Sequence, residues 1–280
     1  MAAALALLTS LCYGLSNFAG PLLSRDLPVY AVLMAGQVVA LAVSAVVVAV
    51  SGVPVPEASV WGAAALAGAG NAWGLIAFYR AAKVGPLSLV VPLGSLGAVI
   101  PVLVGASRGE PLGAVKVAGL LLALGGVALA GRRTSAPVPE HHDLGAAVRW
   151  ALASVLGFGV FLTFIADAAE GGVFWAVALS RLALLIALAL AAVVLAERVA
   201  VPLSRVPHVA LPGVLLFAGT VAYAVATRHG DLSVVSVLGS LFPVVTVTMA
   251  FVFLGERLSR LQGVGVGAAL AGVVLVSAHL

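Results

Sequence analysis

The sequence predicts an all-α membrane protein, with ten transmembrane helices arranged as two inverted five-helix repeats, and three observations carry that prediction. Only 9% of the 280 residues are charged while 63% are apolar; a soluble domain needs about 25% charged residues to cover its surface. The mean hydropathy of +1.23 is spread over the whole length, because no stretch longer than about fifteen residues is polar enough to form a separate domain. The second half of the chain also repeats the pattern of the first.

A bilayer core takes about 20 mostly apolar helical residues to cross, and cutting the chain at Pro, Gly and charge clusters leaves runs of that length. The first five fall near 2–22, 29–51, 59–80, 86–106 and 112–131, the next five near 146–166, 173–196, 208–228, 232–254 and 260–279. The opening run, MAAALALLTSLCYGL, has no Lys or Arg ahead of it and no convincing cleavage site. It is therefore expected to be the first membrane helix and not a removed signal peptide. The longest polar stretch, Arg132 to Asp143 (RRTSAPVPEHHD), reads as a linker. The expected organisation is a first repeat at 1–131, a linker at 132–145 and a second repeat at 146–280.

The repeat is visible in the residues. PLSLVVPLGSL from Pro86 matches DLSVVSVLGSL from Asp231 at Leu87, Ser88, Val90, Leu93, Gly94, Ser95 and Leu96, at a constant offset of 145. The polar and Gly matches weigh most in so apolar a chain. Gly109-Glu110 then corresponds to Gly255-Glu256, and Leu112, Gly119, Ala123, Leu124 and Gly126 recur as Leu258, Gly265, Ala269, Leu270 and Gly272. Five spans per repeat is an odd number, so the second copy must enter the membrane from the opposite side. Inverted repeats place a binding site near the midplane, with rocking between halves giving alternating access.

A fourth helix running into Gly-Glu and then a Gly-spaced fifth helix, repeated as GERLSRLQGVGVGAALAGVVLV, resembles the EamA-type families of the drug/metabolite transporter superfamily. The likeness covers nearly the whole chain. It implies a ten-helix carrier moving metabolites such as amino acids, nucleotide-related compounds or drugs, usually outward, with both termini in the cytoplasm.

Arg181, eight residues into the run 173–196, is the one charge read as lying inside a span and not near its end, and a centred arginine costs roughly 2.5–3.5 kcal/mol on insertion scales. Either it faces a central cavity and meets an anionic substrate, or it snorkels or pairs with Asp167 or Glu170 at a neighbouring helix end. Its repeat equivalent is Gln37. Asn71, with Trp73 close by, needs a polar partner that lipid does not offer. Asn17 and Tyr13 on the first span, Thr163 on the sixth and Tyr223 on the eighth, with Ser16 and Thr220, are further candidates to line a site or to bond within the protein. Gly94, Ser95 and Pro101 on the fourth span and Gly239, Ser240 and Pro243 on the ninth interrupt corresponding spans of the two halves, as broken helices at a binding site or gate do, or else pack helices closely.

Several chemistries lack support. Cys12 is the only cysteine, which excludes an intramolecular disulfide and a CxxC pair. No GK[ST] loop, GxSxG elbow or HExxH helix occurs, so neither cofactor nor metal is expected, and Glu140, His141, His142 and Asp143 read as solvated linker. All ten carboxylates fall at span ends or in loops, unlike the buried acid of cation antiporters, so multidrug cation efflux is the second choice. Basic residues are scattered singly, against nucleic acid and for lipid headgroups. The expected partners are therefore a small-molecule solute and membrane lipid, with the oligomeric state open. Arg25, Arg80, Lys83, Arg149, Arg198 and Arg205 fall on the side opposite the termini, so charge bias predicts termini outside, against what the resemblance implies. Alanine, valine and glycine usage suggests a GC-rich bacterium and hence its plasma membrane. An intramembrane enzyme or a non-transporting membrane subunit are the rival readings; the first would need paired acids or histidines at membrane depth, where His208, His229 and His279 lie singly at span ends.

Overall fold

The structure, a computed structural model, describes residues 1–110, 113–130, 143–255 and 259–277. Among these residues it is all-helical. The first half contains α1 (Ala2–Leu23), α2 (Val29–Ser51), α3 (Ala58–Val84), α4 (Leu87–Gly94), α5 (Val99–Ser107) and α6 (Ala114–Ala130). The second contains α7 (Leu144–Glu170), α8 (Val173–Val194), α9 (Val206–Thr227), α10 (Leu232–Gly239), α11 (Phe242–Leu254) and α12 (Arg260–Ser277). Nearly all of the expected linker, with Glu140, His141 and His142, and also Glu256 and His279, lies outside the described residues.

Eight helices, counting α4–α5 and α10–α11 as one each, are long and apolar enough to cross a membrane among the described residues. The two others, α6 and α12, have 17 and 18 residues. At 1.5 Å per residue the 27-residue helices α3 and α7 span about 40 Å, more than a hydrocarbon core of about 30 Å, and must tilt or protrude. Their outer faces suit lipid: Val46, Leu121, Leu156, Val193 and Phe253 are all more than half exposed, as no soluble domain tolerates in such density.

The helices pair in a pattern that survives exchange of the halves. α3 lies along α7 and α1 along α9; α8 packs on α3 and α2 on α9; α2 meets α8 and α6 meets α12. Swapping α1 with α7, α2 with α8, α3 with α9 and α6 with α12 converts each of the first two pairs into its counterpart and returns the last two unchanged. Small residues permit the closest approaches, as they must where lipid supplies no hydrophobic drive between helices. A methyl added at Gly213 would overlap the Gly36 carbonyl, and one at Gly157 would strike the backbone of Gly70 and Gly74.

Two spans are broken at equivalent places. α4 ends at Gly94 and passes through a 3-10 turn, Ser95–Ala98, into α5; α10 ends at Gly239 and α11 begins at Phe242. The prolines explain both breaks. Pro101 and Pro243 have no N–H to give to the carbonyls four residues back, Gly97 and Gly239, so the preceding turn cannot continue as α-helix.

Candidate functional site

The breaks face each other across a cavity between the halves. From the first half it is lined by Tyr13 and Asn17 of α1, Asn71 and Leu75 of α3, and Gly94, Ser95, Gly97 and Ala98 of the α4–α5 break. The second half contributes Phe158, Phe161 and Leu162 of α7, Leu216 and Thr220 of α9, and Gly239, Ser240 and Phe242 of the α10–α11 break. Its free space, about 40 Å³ for the centres of water-sized spheres, holds roughly three waters at about 10–15 Å³ each. A metabolite requires the walls to part.

The lining carries no charged side chain among the described residues. Two of its polar groups are distinctive for being unspent. Asn17 and Asn71 are each 5% exposed and line the cavity, and neither amide makes a hydrogen bond to a described residue. An amide so buried needs partners, and the cavity is where they are missing. The walls also differ in kind. Asn17 corresponds to Phe161 at the same offset of 144 that relates Gln37 to Arg181, and Asn71 corresponds to Leu216 at the offset of 145 that relates Gly94 to Gly239. Each of the two amides on the first-half wall thus has an aromatic or aliphatic counterpart on the second.

Arg181 lies one layer behind this wall. At 1% exposure it donates through Nη1 to Gln37 Oε1 at 2.8 Å and through Nη2 to the Leu216 carbonyl at 2.8 Å and to the Thr220 hydroxyl. The pairing with Asp167 or Glu170 weighed from the sequence is not formed; Asp167 binds Arg108 instead. Arg181 thereby bonds its own repeat equivalent, Gln37, across the interface of the halves. Thr220 gives its proton to Leu216 O at 2.7 Å and also meets Tyr13 Oη at 3.2 Å, so the buried charge connects to the cavity wall through two hydroxyls.

Other sequence candidates sit apart from the cavity, with visible reasons. Trp73 is 52% exposed on the outer surface, its Nε1 donating to Ala153 O at 2.9 Å. Thr163 bonds back to Gly159 O at 2.9 Å, as a threonine in an apolar helix commonly does. Tyr223 ties α9 to α7 and α10 through Leu162 O at 3.1 Å and Ser236 Oγ at 2.6 Å. Gly94, Ser95, Gly239 and Ser240 line the cavity, whereas Pro101 and Pro243 are buried behind it. Phe158, Phe161, Leu162 and Phe242 were not singled out from the sequence; the repeat register, which opposes Phe161 to Asn17, was the available signal.

The Gly-Glu motif closes one end of the bundle. Gly109 has φ +97°, a left-handed turn that suits glycine, and it returns Glu110 toward the second half. There Glu110 accepts from the backbone N–H of Leu232 at 3.0 Å and of Ser233 at 3.1 Å, and from the Ser233 hydroxyl. These are the orphan donors at the start of α10, so a residue of one half caps a helix of the other. Next to it Arg108 binds Asp167 bidentately, Nη1 to Oδ1 at 2.5 Å and Nη2 to Oδ2 at 2.9 Å. That bond, helped by the charges of Asp167, Glu170 and Glu110, holds the Arg108 guanidinium above its usual value. Among the described residues no cluster of His, Cys, Asp or Glu is placed to hold a metal.

Three comparisons place the chain. A solved structure described only as "Crystal structure of protein" superposes with a TM-score of 0.73 at 19% identity, covering 99% of this chain and 96% of that one, which shows a shared fold. No curated protein matches. The family model of the EamA-like transporter family matches twice, over residues 1–132 and 145–278. These two matches span both halves of an apolar multi-helix bundle, and the chain belongs to the EamA-like transporter family.

Proposed function

We propose that this chain is a secondary carrier, working as an exporter, that holds a small polar or anionic metabolite in the central cavity and exposes it alternately to the two sides of a bacterial plasma membrane. The observation that carries the reading is the pair of buried, unpartnered amides, Asn17 and Asn71, lining the cavity from the first half beside two broken helices. Freed backbone groups at such breaks are what a solute near the midplane can meet. The exchange symmetry of helix packing supports ten spans in two inverted halves, with α6 and α12 as the outer pair. In this reading the end that gathers Arg25, Arg80, Lys83 and Arg198 faces the cytoplasm, which sets the termini outside, against the family expectation given above.

A ligand that binds the folded state alone raises its melting temperature, by the equivalent of about 2.7 kcal/mol at a hundred times Kd. Purified protein is therefore screened by thermal shift against amino acids, organic anions, nucleosides and cationic drugs. The expected result is stabilisation by a polar or anionic compound that Asn17→Ala and Asn71→Ala each abolish, together with counterflow of that compound in proteoliposomes. Stabilisation by lipophilic cations alone, untouched by either substitution, would instead establish the multidrug reading. Absence of both shift and counterflow would favour a subunit that transports nothing.

A further inference from the structure

Arg181 is a full positive charge with no negative partner among the described residues. Its bonds go to an amide oxygen, a carbonyl and a hydroxyl, and its Nε–H meets no acceptor. Buried charges persist when an opposite charge compensates them; here the surroundings offer dipoles alone. The uncompensated field reaches the cavity, since Leu216 and Thr220, which accept from the guanidinium, are themselves cavity wall. Resting on the carrier reading of this same cavity, we infer that the solute is a small monocarboxylate with an apolar body. Its carboxylate sits at Tyr13 and Asn17 in the field of Arg181, and its body lies against Phe158, Phe161 and Leu162.

Hydrogen accounting at this corner supports the placement. The Thr220 proton is committed to Leu216 O and its oxygen receives Arg181, so Tyr13 is left as the donor in the Tyr13–Thr220 contact. Turning the Tyr13 O–H about its C–O bond redirects that donor to an entering carboxylate while Thr220 keeps its bonds to Arg181 and Leu216 O. Asn17, one helical turn from Tyr13 on the same face of α1, and Asn71 of α3 add amide N–H donors to the same cavity that have no partner among the described residues. The class follows from what else is present. One buried cation compensates one negative charge, which argues against phosphate esters and dicarboxylates. A zwitterionic amino acid would bring an ammonium group to a lining without carboxylate among the described residues. The aromatic and leucine wall then needs an apolar body to cover it.

The test compares three isosteric probes, phenylacetate, phenylacetamide and 2-phenylethylammonium, by titration calorimetry on the purified chain in nanodiscs at pH 7. Phenylacetate is expected to bind at least on the order of tenfold more tightly than the amide, and the ammonium more weakly than either. Arg181→Gln should erase the carboxylate-to-amide ratio while Arg181→Lys retains part of it. Should Arg181→Gln not fold, Tyr13→Phe keeps every bond of Arg181 and is expected to lower phenylacetate affinity on the order of tenfold with little change for the amide. A merely structural arginine would shift all three probes together. Equal affinity for acid and amide, a ratio that survives both substitutions, or no binding of any probe overturns the inference. If the amide binds equally and is carried in proteoliposomes, the carrier reading stands without it; if no probe or other solute shows flux, the carrier reading falls as well.

Discussion

At the end of the bundle where α5, α7 and α9 finish, the halves are joined by directed, charge-assisted bonds: Arg108 with Asp167 at 2.5 and 2.9 Å, and Glu110 on the first N–H groups of α10. At the opposite end, among the described residues, the halves share one backbone bond, Asp143 N–H to Val84 O at 2.9 Å, and weaker side-chain contacts. There Arg80 and Glu197 approach only to 3.7 Å, Arg80 lies 5.1 Å over the Trp150 ring, and an open basin separates the segment around Arg25 to Tyr30 from Arg198. A rocking carrier must break contacts at one end as it forms them at the other. On the carrier reading proposed above, the cap on α10 is a contact that has to be released for the α5–α7–α9 end to open.

The largest effect is expected from Glu110→Ala. It leaves two backbone N–H groups of α10 and the buried Ser233 hydroxyl without their acceptor, and bonds to a charged acceptor contribute roughly 1.5–3 kcal/mol. Thermal unfolding in nanodiscs should show a loss of about 2–3 kcal/mol, with Glu110→Gln losing less because one oxygen still accepts. Hydrogen exchange should quicken at Leu232 and Ser233 and stay unchanged at Leu87, the corresponding start of α4. Equal quickening at both sites would mean that the two ends are not independent and would remove the basis of the comparison.

Part of this asymmetry was legible in the sequence. The spans were, because a run of about 20 apolar residues has one physical use; α2 was expected at 29–51 and forms there. The breaks after Gly94 and Gly239 were, because proline leaves a carbonyl unpaired wherever it falls in a helix. Asn17 and Asn71 stood out as amides in an apolar background. Trp73, Thr163 and Tyr223 were placed beside them because a helix apolar all round has no stripe to fix its rotational phase, so the sequence does not say which side of α3, α7 or α9 faces inward. Phe158 and Phe161 escaped notice for the same reason, since aromatic residues give no contrast among Leu and Val. The Gly-Glu pair was seen twice as a motif, but its partner, the start of α10, is 122 residues away and only the folded chain joins them.

A smaller effect is expected at the Arg108–Asp167 pair, which is half exposed on the arginine side and therefore well screened. A double-mutant cycle with Arg108→Ala and Asp167→Ala should return a coupling of about 1 kcal/mol, decreasing at high salt. Because Asp167 raises the arginine's folded-state pKa, its contribution is complete at every pH below the unfolded value and is lost only as pH climbs through the raised one. The coupling should thus be the same at pH 7 and pH 10. A decline over that interval would show that another group, not this guanidinium, carries the interaction.

The smallest effect belongs to the end with the weaker side-chain contacts. Arg80→Ala removes a 3.7 Å ion pair whose side chains are 31% and 39% exposed, together with the stacking on Trp150. Exposed pairs contribute about 0–1 kcal/mol and an exposed cation–π contact about 0.5–1 kcal/mol, so the summed loss should stay near 1 kcal/mol, below that of Glu110→Ala. The more telling readout is conformational. If the charge-assisted bonds keep the α5–α7–α9 end closed, Glu110→Ala should raise solvent labelling of a cysteine placed at Thr227, in a Cys12→Ser background, while Arg80→Ala leaves that labelling unchanged. Labelling raised equally by both would mean that the halves respond as one body at either end, and that the stronger bonds at the α5–α7–α9 end serve stability without selecting which side is closed.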